Sequence, residues 1–130
     1  MKKALAALAL AGAIVLAGCG SSSGGGTTVD AATWISEASQ PGVTVIDVRT
    51  PAEFAAGHVE GAVNIDVQSP AFAAEIASLD KSSPYALYCR SGNRSEVAMN
   101  QMTEAGFTDI TNLDGGLTDL AAAGAPVVQS

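Results

Sequence analysis

Tyr85-Ala86-Leu87-Tyr88-Cys89-Arg90-Ser91-Gly92-Asn93-Arg94-Ser95-Glu96 is the stretch whose reading decides the fold. Its first four residues form an apolar run of strand length, and the run stops at a cysteine. A polar turn with one glycine then leads into a segment of helical spacing. A buried strand feeding a helix through such a turn predicts an α/β domain, with the thiol at the corner. There the N–H groups of the turn and the positive end of the helix dipole converge, which favours an anion. A thiol so placed ionises more readily, and the thiolate is the nucleophile. Arg90 and Arg94 add positive charge to the same loop. The first expectation is a reactive cysteine in an anion-binding cradle.

Outward from this loop, strand and helix patterns alternate. Val43-Thr44-Val45-Ile46-Asp47-Val48 is β-branched and too apolar to be half exposed, the pattern of a central parallel strand. Thr50-Pro51-Ala52-Glu53 offers a hydroxyl cap, proline at the first helical position and glutamate three residues after the cap, so Pro51 to Ala56 is expected as a short helix with a capping box. Before it, Asp30 caps a helix over Ala31 to Ala38; after it come a strand at Ala62 to Ile65 and a helix opened by Ser69-Pro70 and ending near Leu79. Beyond the loop, a helix from Asn93 or Ser95 to Ala105 presents Val97, Met99 and Met102 for packing. A strand at Ile110 to Leu113, a tight Gly115-Gly116 turn and a last helix at Leu117 to Ala123 follow. The alternation predicts a largely parallel sheet. Asp47-Val48-Arg49 and Cys89-Arg90 both fall at carboxyl ends of strands, where ligands bind in open α/β sheets.

The N-terminus reads as a targeting segment. Met1-Lys2-Lys3 is basic, Ala4 to Ala17 is uncharged and too short for a comfortable membrane span, and Leu16-Ala17-Gly18-Cys19 ends the run in small residues before a cysteine. This ending resembles the lipobox of bacterial lipoproteins, which implies cleavage before Cys19, lipidation of Cys19 with palmitate-type acyl chains, and anchoring to a bacterial membrane facing the periplasm or cell exterior. Gly20, where aspartate would imply inner-membrane retention, implies outward sorting in an organism with an outer membrane. The expected organisation is a signal peptide over 1–18, the lipidated cysteine and a flexible Ser/Gly tether over 19–28, and one domain over 29–128.

The chain of 130 residues carries 6 Lys and Arg against 13 Asp and Glu. Loss of Lys2 and Lys3 with the signal leaves 4 − 13 = −9, a balance that excludes nucleic acid as a partner. Three of the remaining four cations, Arg49, Arg90 and Arg94, lie in the two strand-end stretches. With Cys19 given to lipid, Cys89 has no partner for a disulfide. No Cys/His grouping has metal-ligand spacing and no glycine pattern is a nucleotide cradle, so neither a metal nor a cofactor is expected.

Taken together, Asp47-Val48-Arg49, Glu53-Phe54, Gly57-His58-Val59, Gly61-Ala62-Val63-Asn64-Ile65, Tyr88-Cys89-Arg90-Ser91-Gly92-Asn93-Arg94-Ser95 and Asn112-Leu113-Asp114-Gly115-Gly116 resemble, in order and spacing, the rhodanese (thiosulfate sulfurtransferase) domain. The likeness covers about Val29 to Ala123 and departs where Leu120 replaces the usual packing tryptophan. It implies a three-layer α/β/α fold and a cysteine that takes a sulfane sulfur from a donor such as thiosulfate, holds it as a persulfide and passes it to cyanide or a thiol. On this reading Cys89 is catalytic, and Arg90, Ser91, Gly92, Asn93, Arg94 and Ser95 bind substrate, with Ser95 serving more as a helix cap than as a donor. Asp47, Arg49 and Glu53 brace the loop from behind, and His58 is a structural turn residue rather than a catalytic base. A monomer is expected.

Four residues separate Cys89 from Arg94, against five in the phosphate rings of cysteine phosphatases, so sulfur transfer ranks above phosphatase or arsenate reductase chemistry. The competing reading of a different class is a carrier, sensor or docking module that holds sulfane sulfur without turnover.

Overall fold

The computed structural model describes residues 25–129. The signal segment, Cys19 and the tether through Gly24 lie outside the described residues. In chain order the elements are β1 (Gly26–Val29), α1 (Ala31–Ala38), β2 (Thr44–Asp47), α2 (Pro51–Ala56), β3 (His58–Val59), β4 (Val63–Asn64), α3 (Phe72–Ala77), β5 (Tyr85–Tyr88), α4 (Asn93–Glu104), β6 (Ile110–Leu113), α5 (Leu117–Ala122) and β7 (Val127–Val128). A five-stranded sheet runs in the order β1-β6-β5-β2-β4 with every pairing parallel, and β3 pairs antiparallel with β7 in a separate ribbon. The fold is the expected α/β class, a mainly parallel sheet flanked by helices.

β5 is central, and its side chains alternate between two cores. Tyr85, Leu87 and Cys89 face a cluster with Ile46, Val48, Phe72, Ile76, Ala98 and Met102, the layer of α3 and α4. Ala86 and Tyr88 face a cluster with Trp34, Val59, Leu113 and Leu120, the layer of α1 and α5. The period of two thus aims Cys89 at the side of the sheet that α4 covers. Trp34 crosses the second core edge-on to Tyr88 and donates its indole N–H to the Leu87 carbonyl at 2.9 Å. Leu120 is fully buried there, so the substitution for tryptophan sits at a packing position.

Three expectations are corrected, and one element was not foreseen. Gly26 to Thr28, assigned to the tether, form the edge strand β1 in register with Ile110 to Asn112, so the ordered domain begins before Val29. An edge strand needs backbone partners more than apolar side chains, and composition alone reads it as linker. Val97 is 49% exposed, because burial of Ala98 and Met102 one turn apart turns the neighbouring position outward. Ser69 does not cap α3: its hydroxyl accepts from the Ala71 amide in a turn ahead of the helix, which begins only at Phe72. The β3–β7 ribbon has strands of two residues, too short for any periodicity to register.

Candidate active site

β5 ends at Tyr88, Cys89 follows, and α4 begins at Asn93. Gly92 makes the corner with φ 101°, a left-handed conformation that costs glycine little. Its amide donates to Cys89 Sγ at 3.0 Å, and Ser95 Oγ lies 3.5 Å from the same sulfur. Ser95 is therefore inside the first turn of α4 and not its cap, which is Gly92; with the thiol protonated, Cys89 S–H donates to Ser95 Oγ and the Ser95 hydroxyl donates to the Gly92 carbonyl at 3.3 Å, a proton that turns to the sulfur when the thiol ionises. Burial pushes the Cys89 thiol up, but hydrogen bonds from the Ser95 hydroxyl and the backbone of Ser95, Ser91 and Gly92 outweigh it and leave the pKa below the ordinary thiol value. Around Cys89 Sγ the structure thus gathers the Gly92 amide and the Ser95 hydroxyl, while the Arg94 guanidinium is turned to Glu53.

The β6–α5 turn closes the loop from the other side. The Leu117 amide donates to the Cys89 carbonyl at 3.1 Å, and a Cβ added at Gly116 would be driven into the Arg90 carbonyl. That obstacle is backbone, which no rotamer change relieves. Gly116→Ala is expected to displace the loop, lowering Tm by several degrees and activity at least about ten-fold, as read by thermal melts and turnover assays. The opposite helix start is fixed as predicted: Thr50 Oγ1 accepts from the Glu53 amide at 3.3 Å and Glu53 Oε1 accepts from the Thr50 amide at 3.2 Å.

The predicted bracing cluster is two units rather than one. Asp47, fully buried, accepts three hydrogen bonds from the Arg49 guanidinium and one from Tyr88 Oη at 2.7 Å, while Arg49 Nη2 also donates to the Gly57 carbonyl. Asn64 Nδ2 donates to the carbonyls of Asp47 and Arg49 and ties β4 to this strand end. Glu53 belongs to the second unit: its two oxygens take Arg94 Nη1 and Nη2 at 2.8 and 2.9 Å. The capping-box glutamate of α2 thus also holds the last arginine of the cysteine loop. His58 stacks on Phe54 with ring centroids 3.6 Å apart and Nδ1 2.7 Å from the Phe54 carbonyl, a structural setting. Tyr88 was not foreseen as part of the brace; a buried tyrosine in an aliphatic run, whose hydroxyl must find partners, is the signal for it. Ala56, Leu117 and Thr118, which line a recess with Arg49, Glu53 and Arg90, carried no signal.

Arg94 holds the Glu53 carboxyl at about 2, below its ordinary value. Because the folded-state value is depressed, the pair's stabilisation is complete above about pH 4.5 and is lost as pH falls toward 2. The Tm difference between the native chain and Glu53→Gln is expected to shrink across that window.

The Rhodanese-like domain family matches residues 31–123. The chain belongs to that family. Among rhodanese-like relatives, the thiosulfate sulfurtransferase GlpE of Pseudomonas aeruginosa is 40% identical over 75 residues, which are 58% of this chain and 66% of the relative. The chain thus spans just under two thirds of that relative's length. The crystal structure of the Alr3790 protein from Anabaena sp. superposes with a TM-score of 0.70 at 28% identity, covering 78% of this chain and 82% of that one. A rhodanese with anions from E. coli gives 0.57 at 33% identity, covering 68% and 99%.

Proposed function

We propose that this rhodanese-like domain is a sulfurtransferase that moves a sulfane sulfur from thiosulfate or a persulfide donor to cyanide or a thiol through a persulfide on Cys89. The observation that carries this reading is the placement of the Cys89 sulfur 3.0 Å from the Gly92 amide and 3.5 Å from the Ser95 hydroxyl, contacts that favour its ionisation, in a loop with one residue fewer between cysteine and arginine than the rings of cysteine phosphatases. In the first step the thiolate attacks the outer sulfur of the donor, and sulfite leaves with the electron pair of the cleaved S–S bond. The amides of Arg90 to Arg94 then hold the charge of the outer persulfide sulfur until the acceptor attacks it. A cysteine residue that is 0% exposed suits a reagent presenting one sulfur atom. GlpE, named for thiosulfate sulfurtransfer, supports the substrate class.

The test is the intact mass of the purified chain before and after thiosulfate, with and without cyanide. One sulfur atom gained with thiosulfate and lost with cyanide is expected. Loading without discharge to cyanide or any thiol replaces the reading with a sulfur carrier, and no loading removes it. Anchoring through acylated Cys19 to the outer side of a bacterial membrane is proposed on the sequence pattern, and its check is the mass of the N-terminal peptide from membrane-extracted protein.

A further inference from the structure

Among the described residues one buried side-chain polar atom has no hydrogen-bond partner: Oδ1 of Asn112, a residue 2% exposed. The alternation along β6 puts Asn112 on the same face of the sheet as Ile110, the face that α4 covers. Its Nδ2 donates to Thr28 Oγ1 at 3.2 Å, which ties β6 to the edge strand and accounts for one end of the amide. The carbonyl end is left at the floor of a recess of about 370 Å³, whose rim carries the loop stretch from Ser91 to Asn93, Glu96 of α4 and Asp114 of the β6–α5 turn. Glu96 and Asp114 are exposed, and neither is in an ion pair among the described residues. Among the described residues no lysine or arginine lines the recess, and Cys89 does not line it either. Burial of an orphaned carbonyl costs stability that an apolar residue of the same shape would not. Helix-dipole complementarity explains a glutamate in the first turn of α4, and strand pairing explains Nδ2; neither explains Oδ1.

We infer that this recess binds a short aliphatic diammonium ion. Each ammonium donates three N–H groups and accepts nothing, the complement of a lining whose charged and orphaned groups are acceptors only. Two carboxylates on separate elements match two positive charges, and Oδ1 takes an N–H that no protein group supplies. A chain of formal net charge −7 raises the local concentration of such cations. A divalent metal ion fits less well. It draws six or more oxygens to about 2–2.6 Å, and among the described residues no group of three or more His, Cys, Asp or Glu is placed to hold one. The recess has instead the size of a small-molecule site. The site is independent of sulfur transfer, since no contact with the thiol enters it.

Isothermal titration calorimetry of the full chain at one ionic strength compares three dications: putrescine, its hexamethylated quaternary analogue, which has no N–H, and Mg²⁺. Putrescine is expected to bind at least about five-fold more tightly than the other two. Glu96→Gln and Asp114→Asn change exposed side chains and are each expected to weaken putrescine about three-fold. Asn112→Leu is expected to weaken it at least about ten-fold while Tm stays level or rises, because the orphaned oxygen leaves with the amide. A purely structural asparagine would do the reverse, lowering Tm and leaving putrescine affinity unchanged, and that result overturns the inference. So does equal binding of the three dications, which is attraction by net charge alone, or tighter binding of Mg²⁺, which is a metal site. Absence of saturable putrescine binding overturns it as well. If Asn112→Leu does not fold, the two carboxylate variants decide: putrescine affinity unmoved in both rejects the site. Loading of sulfur on Cys89 is a separate measurement, so the proposed function stands or falls without it.

Discussion

Cys89→Ser is expected to remove thiosulfate-dependent thiocyanate formation, a loss of at least about a thousand-fold, together with the donor-dependent mass gain. The exchange replaces one atom of similar size, so the loop, the Gly92 corner and the Leu117 contact keep their positions. What disappears is the chemistry. A hydroxyl does not ionise near neutral pH even beside the amides that lower the thiol, and oxygen cannot carry sulfane sulfur as a persulfide. The buried hydroxyl finds Ser95 Oγ and the Gly92 amide within reach, so the stability change is held to about 1 kcal/mol. Melting curves of the variant should therefore overlie those of the native chain within a few degrees. Retained turnover in a folded Cys89→Ser protein would show that the sulfur travels by another route.

Asp47→Asn carries the largest expected stability loss. Arg49 is 5% exposed, and Asp47 is the carboxylate that balances it; Tyr88 Oη donates to the same carboxylate. The amide keeps the volume but removes the charge and one acceptor, leaving a buried guanidinium uncompensated. Breaking a buried pair in this one-sided way costs about 3–5 kcal/mol. For a domain of this size that is a fall in Tm of roughly 12 °C or more. Activity per folded molecule should fall less, because the brace reaches Cys89 through Tyr88, by its Oη hydrogen bond to Asp47 and the β2–β5 pairing, and not by a contact with the sulfur. Differential scanning calorimetry of the native chain and the variant decides it, and equal melting temperatures would mean that the pair contributes nothing net.

Much of this architecture was legible because its signals are local. The β-branched run at β2, the capping box of α2 and the apolar Tyr85 to Tyr88 each declare an element within a few residues, and α1 and α2 fall at the predicted bounds. The cysteine loop was legible for the same reason: strand end, glycine corner and helix start are contiguous. Contacts between distant segments were not. Nothing within Gly26-Thr27-Thr28 announces that β6 waits eighty residues on. Asp47, Arg49 and Glu53 sit close enough in sequence to suggest one charged cluster, yet the turn into α2 sends Glu53 to Arg94 and leaves Arg49 with Asp47. Ser95 read as a cap because serine favours that role, whereas the glycine with positive φ takes it and frees the hydroxyl for the sulfur.

The burial of Cys89 has a consequence for the lifetime of the thiol. Thiol–disulfide exchange requires the attacking and departing sulfurs to line up with the one between them, so a bulky disulfide or another protein's cysteine needs open space around its target. Cys89 offers none, whereas a terminal sulfur on a small anion needs little. Its site therefore acts as a steric filter against mixed disulfides, separating reactivity toward sulfane donors from vulnerability to oxidised thiols.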